Sequence, residues 1–302
     1  MGIGESSGSQ ADAERSRFTL TGRSIALDRR INAIRGDLAD IALAGWYFAP
    51  HYSCPQAFSV ISPRTAIRAK GDAASTAVSE LLYGEAFHAI DIAGGWAWGY
   101  SAHDNYVGYV RADLLSAPVE PTHIVTATAA LVFAEDNIKS PERLRLPMGS
   151  RLAGEVEGAF LKCREGFIHL RHVSPVDSMQ NDPVAIAQKL TGTPYLWGGR
   201  SSDGLDCSGL VQLCLSLCEI VAPRDTDQQM VALGEEIDAA APLQRGDIIF
   251  FPGHVGFMSD ADNLIHANAF WMQVMTEPLV DVVARLVPDH AQPVLARKRI
   301  NL

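Results

Sequence analysis

Short runs of alternating apolar and polar residues fill positions 63 to 117, with turn residues about every ten positions, the texture of a small all-β barrel. Thr65–Ile67 and Ala86–Ile92 are two such runs. Trp96, Trp98 and Tyr100 place aromatics on every second position, and Asp104-Asn105 turns the chain into Tyr106–Val110. A second β-rich stretch follows over 124–176, with strands expected at Ile124–Thr126, Ala130–Phe133, Arg151–Val156, Ala159–Cys163 and Gly166–Leu170. Ahead of both, Ile31, Ile34, Leu38, Ile41 and Ala42 keep a loose helical period within Leu27–Trp46. Residues 1–17 are expected to form a disordered tail.

From Asp182 onward the texture is α+β. Pro183–Leu190 opens as a helix, and Pro194-Tyr-Leu-Trp-Gly-Gly199 is a Gly-rich loop. A second helix follows, with Leu210, Leu213, Cys214, Leu217 and Cys218 on one face at i, i+3, i+4 spacing. Strands are expected at Asp247–Phe251, Val255–Met258, Asn263–His266 and near Pro293–Lys298. The expected organisation is a tail and partly helical extension over 1–60, a first barrel over 61–118, a second over 122–177, and an α+β domain over 180–302. A helix packed on an antiparallel sheet sets the fold class of that last domain.

Composition narrows the function classes. With 302 residues, 47% hydrophobic and 20% charged, the chain can bury cores in two or three domains. A net charge of −10 argues against nucleic acid as a partner and against polyanionic wall or membrane ligands. No run approaches the ~20 apolar residues of a membrane span. Met1–Leu20 is polar and lacks the apolar centre of a secretion signal, so a cytoplasmic location is the expectation, or a periplasmic or extracellular one if the N-terminus was trimmed. A monomer is expected. Five cysteines at irregular spacing fit free thiols in a reducing compartment. None forms a C-x-x-C pair and no cluster has zinc-ligand spacing, so neither metal nor cofactor is expected.

Cys207 differs from the other thiols. It follows Asp206, a helix-capping residue type, and precedes Ser208 at the start of the second helix. A thiol there feels the positive end of the helix dipole, which favours the attacking thiolate. Cys54, Cys163, Cys214 and Cys218 read as core thiols. His254 opens the strand His-Val-Gly-Phe-Met, where 254, 256 and 258 share a face. His266 ends Asn-Leu-Ile-His beyond the turn Ser259–Asp262. Paired as a hairpin, the strands bring the two rings together. One ring then takes the thiol proton while the other fixes its tautomer.

Tyr195-Leu-Trp-Gly-Gly199, Asp206-Cys-Ser-Gly-Leu210, Pro223-Arg-Asp-Thr226, Gly246-Asp-Ile-Ile-Phe250, His254-Val-Gly256 and Ile265-His266 occur together and in this order. On these motifs the chain resembles the NlpC/p60 family of cysteine peptidases over residues 180–275. Each β-rich unit resembles a bacterial SH3 domain, the first more closely, through Gly95-Trp96 and Tyr106–Val110. The resemblance implies a papain-like α+β catalytic domain behind two small all-β SH3-like barrels. It implies Cys207, His254 and His266 as the catalytic triad. It also implies that Tyr195 helps hold the oxyanion, although that tyrosine reads equally well as a packed aromatic of its loop. Backbone N–H groups at the helix start, that of Cys207 included, are further oxyanion donors.

The domain order is similar to the subgroup that cleaves free murein peptides between γ-D-glutamate and meso-diaminopimelate or lysine, and requires a free N-terminal L-alanine. That likeness implies a murein peptide as partner and a role in wall-peptide recycling. A primary ammonium is then held by carboxylates in a closed pocket, and a blocked amine would leave those charges unpaired. The family's amine-binding groups map onto Asp225 and Thr226, with Asp206 and Ser208 flanking the nucleophile. Glu85 and Tyr106 are the implied contribution of the first barrel; by themselves they read as a hairpin-turn acid and a strand tyrosine. Arg224 has three readings: a pair with Asp225, a contact for a substrate carboxylate, or a surface charge. The aromatics at 96, 98 and 100 read as core on one face and exposed rim on the other, and the barrels as walls of the cleft. Two alternatives stay open: an exported hydrolase remodelling intact peptidoglycan, and an inert wall-peptide-binding module.

Overall fold

The computed structural model describes residues 26–178 and 180–300. The tail expected over 1–17 lies outside them. The first barrel is one seven-stranded sheet. Its strand order is Ala77–Leu82, Arg64–Arg68, Val107–Arg111, Trp96–Ser101, Ala86–Ala93, Gln56–Val60, Leu115–Ser116. Its first strand therefore precedes the expected start at 61. Alternate residues point inward, and Val60, Ile67, Leu81, Phe87, Ala89, Ala97 and Val110 close its core.

The extension over 27–46 is not helical. Gly36-Asp37 breaks the apolar period, Leu38–Asp40 pairs in parallel with His51–Ser53, and Ile41–Leu43 is a single 3-10 turn capped by Asp40. Its apolar residues serve another surface. Ala33 and Leu38 pack on Ile90 and Trp98 of the barrel, and the Arg35 guanidinium lies 4.8 Å above the Trp98 ring. The aromatic rim expected to be exposed is thus covered at Trp98, which is 3% exposed. Cys54, expected in a core, is exposed.

The second unit splits into a five-stranded and a three-stranded sheet around Val125, Ala130, Val132, Leu146, Leu161 and Ile168. Its strand Glu142–Pro147 was not expected. Arg143 and Arg145 alternate there with Leu144 and Leu146, a period-2 signal carried by two apolar positions alone.

Among the described residues the C-terminal domain carries four helices: α1 (Pro183–Lys189), α2 (Cys207–Ser216), α3 (Thr226–Ala232) and α4 (Leu279–Leu286). Its six-stranded sheet runs Glu235–Glu236, Ala296–Arg299, Ile248–Phe251, His254–Met258, Asn263–Asn268, Gln273–Pro278, and every neighbour is antiparallel. Helix α2 is buried on all sides from Cys207 to Leu215, not on one stripe alone. It packs against Val255, Phe257, Ile265 and Ala267, while Leu82 of the first barrel and Ile124 and Met148 of the second join the same core.

Candidate active site

Asp206 sets the entrance of α2. Its Oδ1 accepts from the Gly209 amide at 2.7 Å and its Oδ2 from the Gly198 amide at 2.9 Å, so one carboxylate joins the helix start to the Gly-rich loop. The fully buried Arg224 grips both oxygens, Nη1 at 2.9 Å and Nη2 at 2.5 Å, and reaches Ser208 Oγ at 2.9 Å. Gly209 makes the loop's close approach possible, since a Cβ there would stand 2.2 Å from Gly199 O. Two expectations change here. The Asp206 carboxylate is fully engaged inside the protein, and Arg224 pairs with it instead of with Asp225, a substrate or the solvent.

The Cys207 sulfur lines a cleft of about 460 Å³ together with Tyr106, Tyr195, Trp197, Asp225, Thr226 and Gly253. The sulfur's partners are Thr226 Oγ1 at 3.9 Å and the Gly253 carbonyl at 4.0 Å. Burial pushes the thiol up and the Asp206 charge adds to this, whereas Thr226, the Ser208 amide and Arg224 pull it down. The helix start alone therefore does not make a resting thiolate, and a base has to take the proton. Tyr195 is half-buried, and burial with the neighbouring sulfur pushes its phenol up to about 12, so it keeps a proton to donate.

The two histidines meet as expected, His254 Nε2 lying 2.7 Å from His266 Nδ1. Their strands pair Phe257 with Ile265, and that register continued one step sets Gly256 opposite His266. Burial and the adjacent His266 bring His254 down to about 3, and burial also lowers His266. The relay at rest is two neutral rings. His254 follows Gly253, whose carbonyl touches the sulfur. Among the described residues no hydrogen bond joins the sulfur to His254 directly.

Asp225 and Tyr106 converge on the cleft, the tyrosine hydroxyl donating to Asp225 Oδ2 at 3.1 Å. Glu85 does not. It is buried in the first barrel, accepts from the Leu82 amide at 2.9 Å and pairs with Arg200 at 3.0 Å. A hairpin acid with a buried arginine partner across a domain seam leaves no local signal in the chain.

Sequence reasoning missed Arg30. All five of its N–H donors are used: Asp28 at 2.8 Å, Asp225 at 2.8 Å, and Asp227 at 2.8 Å through Nη2. Its backbone carbonyl accepts from Val107 of the barrel at 2.7 Å. Three carboxylates thus surround one guanidinium at the cleft edge. A wider groove between the barrels, about 870 Å³, is lined by Arg64, Arg68, Arg111, Arg143 and Arg145 but holds none of the candidate nucleophiles.

Residues 192–283 match the NlpC/P60 family, and residues 67–115 match the bacterial dipeptidyl-peptidase Sh3 domain. The chain carries an NlpC/P60 domain behind a bacterial SH3 domain. Dipeptidyl-peptidase 6 of Lysinibacillus sphaericus is 26% identical over 238 residues, 69% of this chain and 86% of that one. The γ-D-glutamyl-L-lysine dipeptidyl-peptidase of Bacillus cereus is 27% identical over 183 residues, 53% of this chain and 54% of that one. A solved NlpC/P60 family protein from Bacillus cereus shares the fold, with a TM-score of 0.70 at 18% identity, covering 81% of this chain and 99% of that one. The NlpC/P60 domain and the relatives' names place the chain among the peptidases. In this NlpC/P60 domain, no helix among the described residues is long and apolar enough to cross a membrane.

Proposed function

We propose that the chain is a cysteine endopeptidase that cleaves the γ-D-glutamyl–diamino acid bond of free murein peptides and recognises the ammonium of an N-terminal L-alanine. The observation that carries this reading is a single cleft joining a thiol at a helix start to an excess of carboxylate. Asp206 is paired with Arg224, while among the described residues Asp28, Asp225 and Asp227 share one ion-pair partner, Arg30. The local surplus of negative charge, roofed by Tyr106, suits a primary ammonium and rejects an acylated amine.

The chemistry follows from the groups present. The thiol proton passes to His254 as the sulfur attacks the scissile carbonyl carbon. The oxyanion takes hydrogen bonds from the Tyr195 hydroxyl and from backbone N–H at the start of α2. His254 then protonates the departing amine, leaving a thioester on Cys207. Water, giving its proton to the same ring, attacks the thioester and frees the thiol. The gap between sulfur and His254 closes with substrate in place, since catalytic hydrogen bonds in unliganded enzymes are often loose.

Mass spectrometry of products from L-Ala-γ-D-Glu-meso-diaminopimelate tests the reading. The native protein should release L-Ala-D-Glu, and Cys207→Ala should release none. Acetylating the alanine should lower turnover by about 100-fold. Equal turnover of free and acetylated peptides would remove the ammonium pocket; release of fragments from intact sacculi at a similar rate would favour a wall-remodelling enzyme.

A further inference from the structure

We propose that Glu277 is a positioning residue that locks His266, and through it His254, in the tautomer needed for proton abstraction from Cys207. The inference rests on the catalytic reading above and adds a fourth member behind the second imidazole. Glu277 lies on Gln273–Pro278, the edge strand beside that of His266, and is 7% exposed. Its Oε1 stands 2.9 Å from His266 Nε2, 3.1 Å from Asn268 Nδ2 and 3.1 Å from Arg285 Nη1. Its Oε2 accepts from Trp271 Nε1 at 3.1 Å and from Arg285 Nη2 at 2.5 Å. The Asn268 amide has a fixed sense, because its Oδ1 accepts from the Trp271 backbone at 2.8 Å.

The tautomer follows. A lone pair on His266 Nε2 would face a carboxylate oxygen, so that nitrogen carries the proton. Asn268 Nδ2, 2.8 Å from the same nitrogen, has Glu277 Oε1 as its acceptor. His266 Nδ1 is then an acceptor, and it takes the hydrogen bond from His254 Nε2–H. His254 is left with a bare Nδ1, the lone pair that can receive the thiol proton. The opposite tautomer of His266 would donate from Nδ1, make His254 Nε2 the acceptor and leave the hydrogen of His254 on Nδ1, with no lone pair for the thiol proton. When the proton moves from the sulfur to His254 Nδ1, no proton reaches Glu277. Its charge, nearer His266 than the Arg285 guanidinium is, stabilises the new imidazolium through the ring between them. The charged groups around the relay are Glu277, Arg285 of α4, and Asp206 with Arg224 at the start of α2.

The test is the rate of Cys207 alkylation by iodoacetamide between pH 5 and 10. It is read by peptide mass spectrometry so that the exposed Cys54 serves as an internal standard. Below the pKa of the thiol, alkylation reports the thiolate–imidazolium pair, and above it simple deprotonation. Glu277→Gln keeps shape and hydrogen bond but removes the charge. Its rate curve should move to higher pH by at least half a unit with an unchanged alkaline plateau, and kcat should fall about 10-fold or more at nearly constant KM. Arg285→Gln removes the opposing charge and should move the curve to lower pH. Coincident curves for the native protein and Glu277→Gln would overturn the proposal, as would shifts of both variants in the same direction. If Glu277→Gln does not fold, the sign of the Arg285→Gln shift decides alone. Native Cys207 left unlabelled at neutral pH while Cys54 is labelled, with no hydrolysis of the free-amine peptide, would instead overturn the catalytic reading, and this inference with it.

Discussion

Gly256 has no side chain, and the relay depends on that. A Cβ there would stand 2.8 Å from His266 Cβ and 2.9 Å from Ile265 O, atoms that cannot yield without moving a strand. Gly256→Ala should therefore cost about 1–3 kcal/mol of stability. It should also lower kcat more than 10-fold, because the displaced ring no longer meets His254; urea melts and initial rates measure both. His254 supplies a second prediction at this scale. Its folded pKa of about 3 lies below the free value near 6.5, so the native state binds fewer protons than the unfolded chain in that window. Stability held above pH 6.5 should be lost as pH falls toward 3. In His254→Asn the difference between urea midpoints at pH 7 and pH 4.5 should shrink. Cys207, His254 and His266 were legible because each sits within a few residues of the cap, turn or strand that aims it. Glu85, Arg224 and Glu277 were not, since their partners lie on other elements and no spacing encodes them.

At the scale of elements, residues 26–53 show why periodicity alone misleads. Apolar residues three and four apart predicted a helix, but of these only Leu38 packs with Trp98, alongside Ala33, while Ile31 and Ile41 are exposed, and Gly36-Asp37 favours an irregular strap. The same strap carries Arg30 to the cleft edge, where it orders Asp225 beside the Tyr106 hydroxyl. Arg30→Ala should leave Asp225 free to swing. KM for the free-amine peptide should rise about tenfold, with kcat and Cys207 alkylation little changed, as steady-state kinetics would show. The helices and strands of the catalytic sheet were legible from their caps and turns, apart from Glu235–Glu236, Gln273–Pro278, α3 and α4. The first is two like charges, the second mixes polar and apolar residues without alternation, and each of the helices spans only about two turns.

Over the whole molecule, the seam between barrel and catalytic domain is built from buried polar groups. Arg200 donates to the Glu80 carbonyl at 2.7 Å and pairs with Glu85, Arg224 reaches Ser79 at 3.1 Å, and Gln212 of α2 reaches Asp104 at 2.8 Å. Breaking such a pair leaves an uncompensated charge, so Glu85→Ala should lower stability by about 3–5 kcal/mol. Calorimetry should show the barrel and catalytic transitions falling together. The three-part order was legible from changes in texture along the chain; the seam was not, because it is a property of docking. Tyr106 has its own consequence. It comes from the barrel yet touches the carboxylate beside the thiol, so one wall of the cleft and the nucleophile come from different stretches of the chain. Under the proposed reading, exchanging Tyr106 alone should thus redirect which amines are admitted, while Asp104 keeps its hold on Gln212 of α2 and the sulfur stays in place.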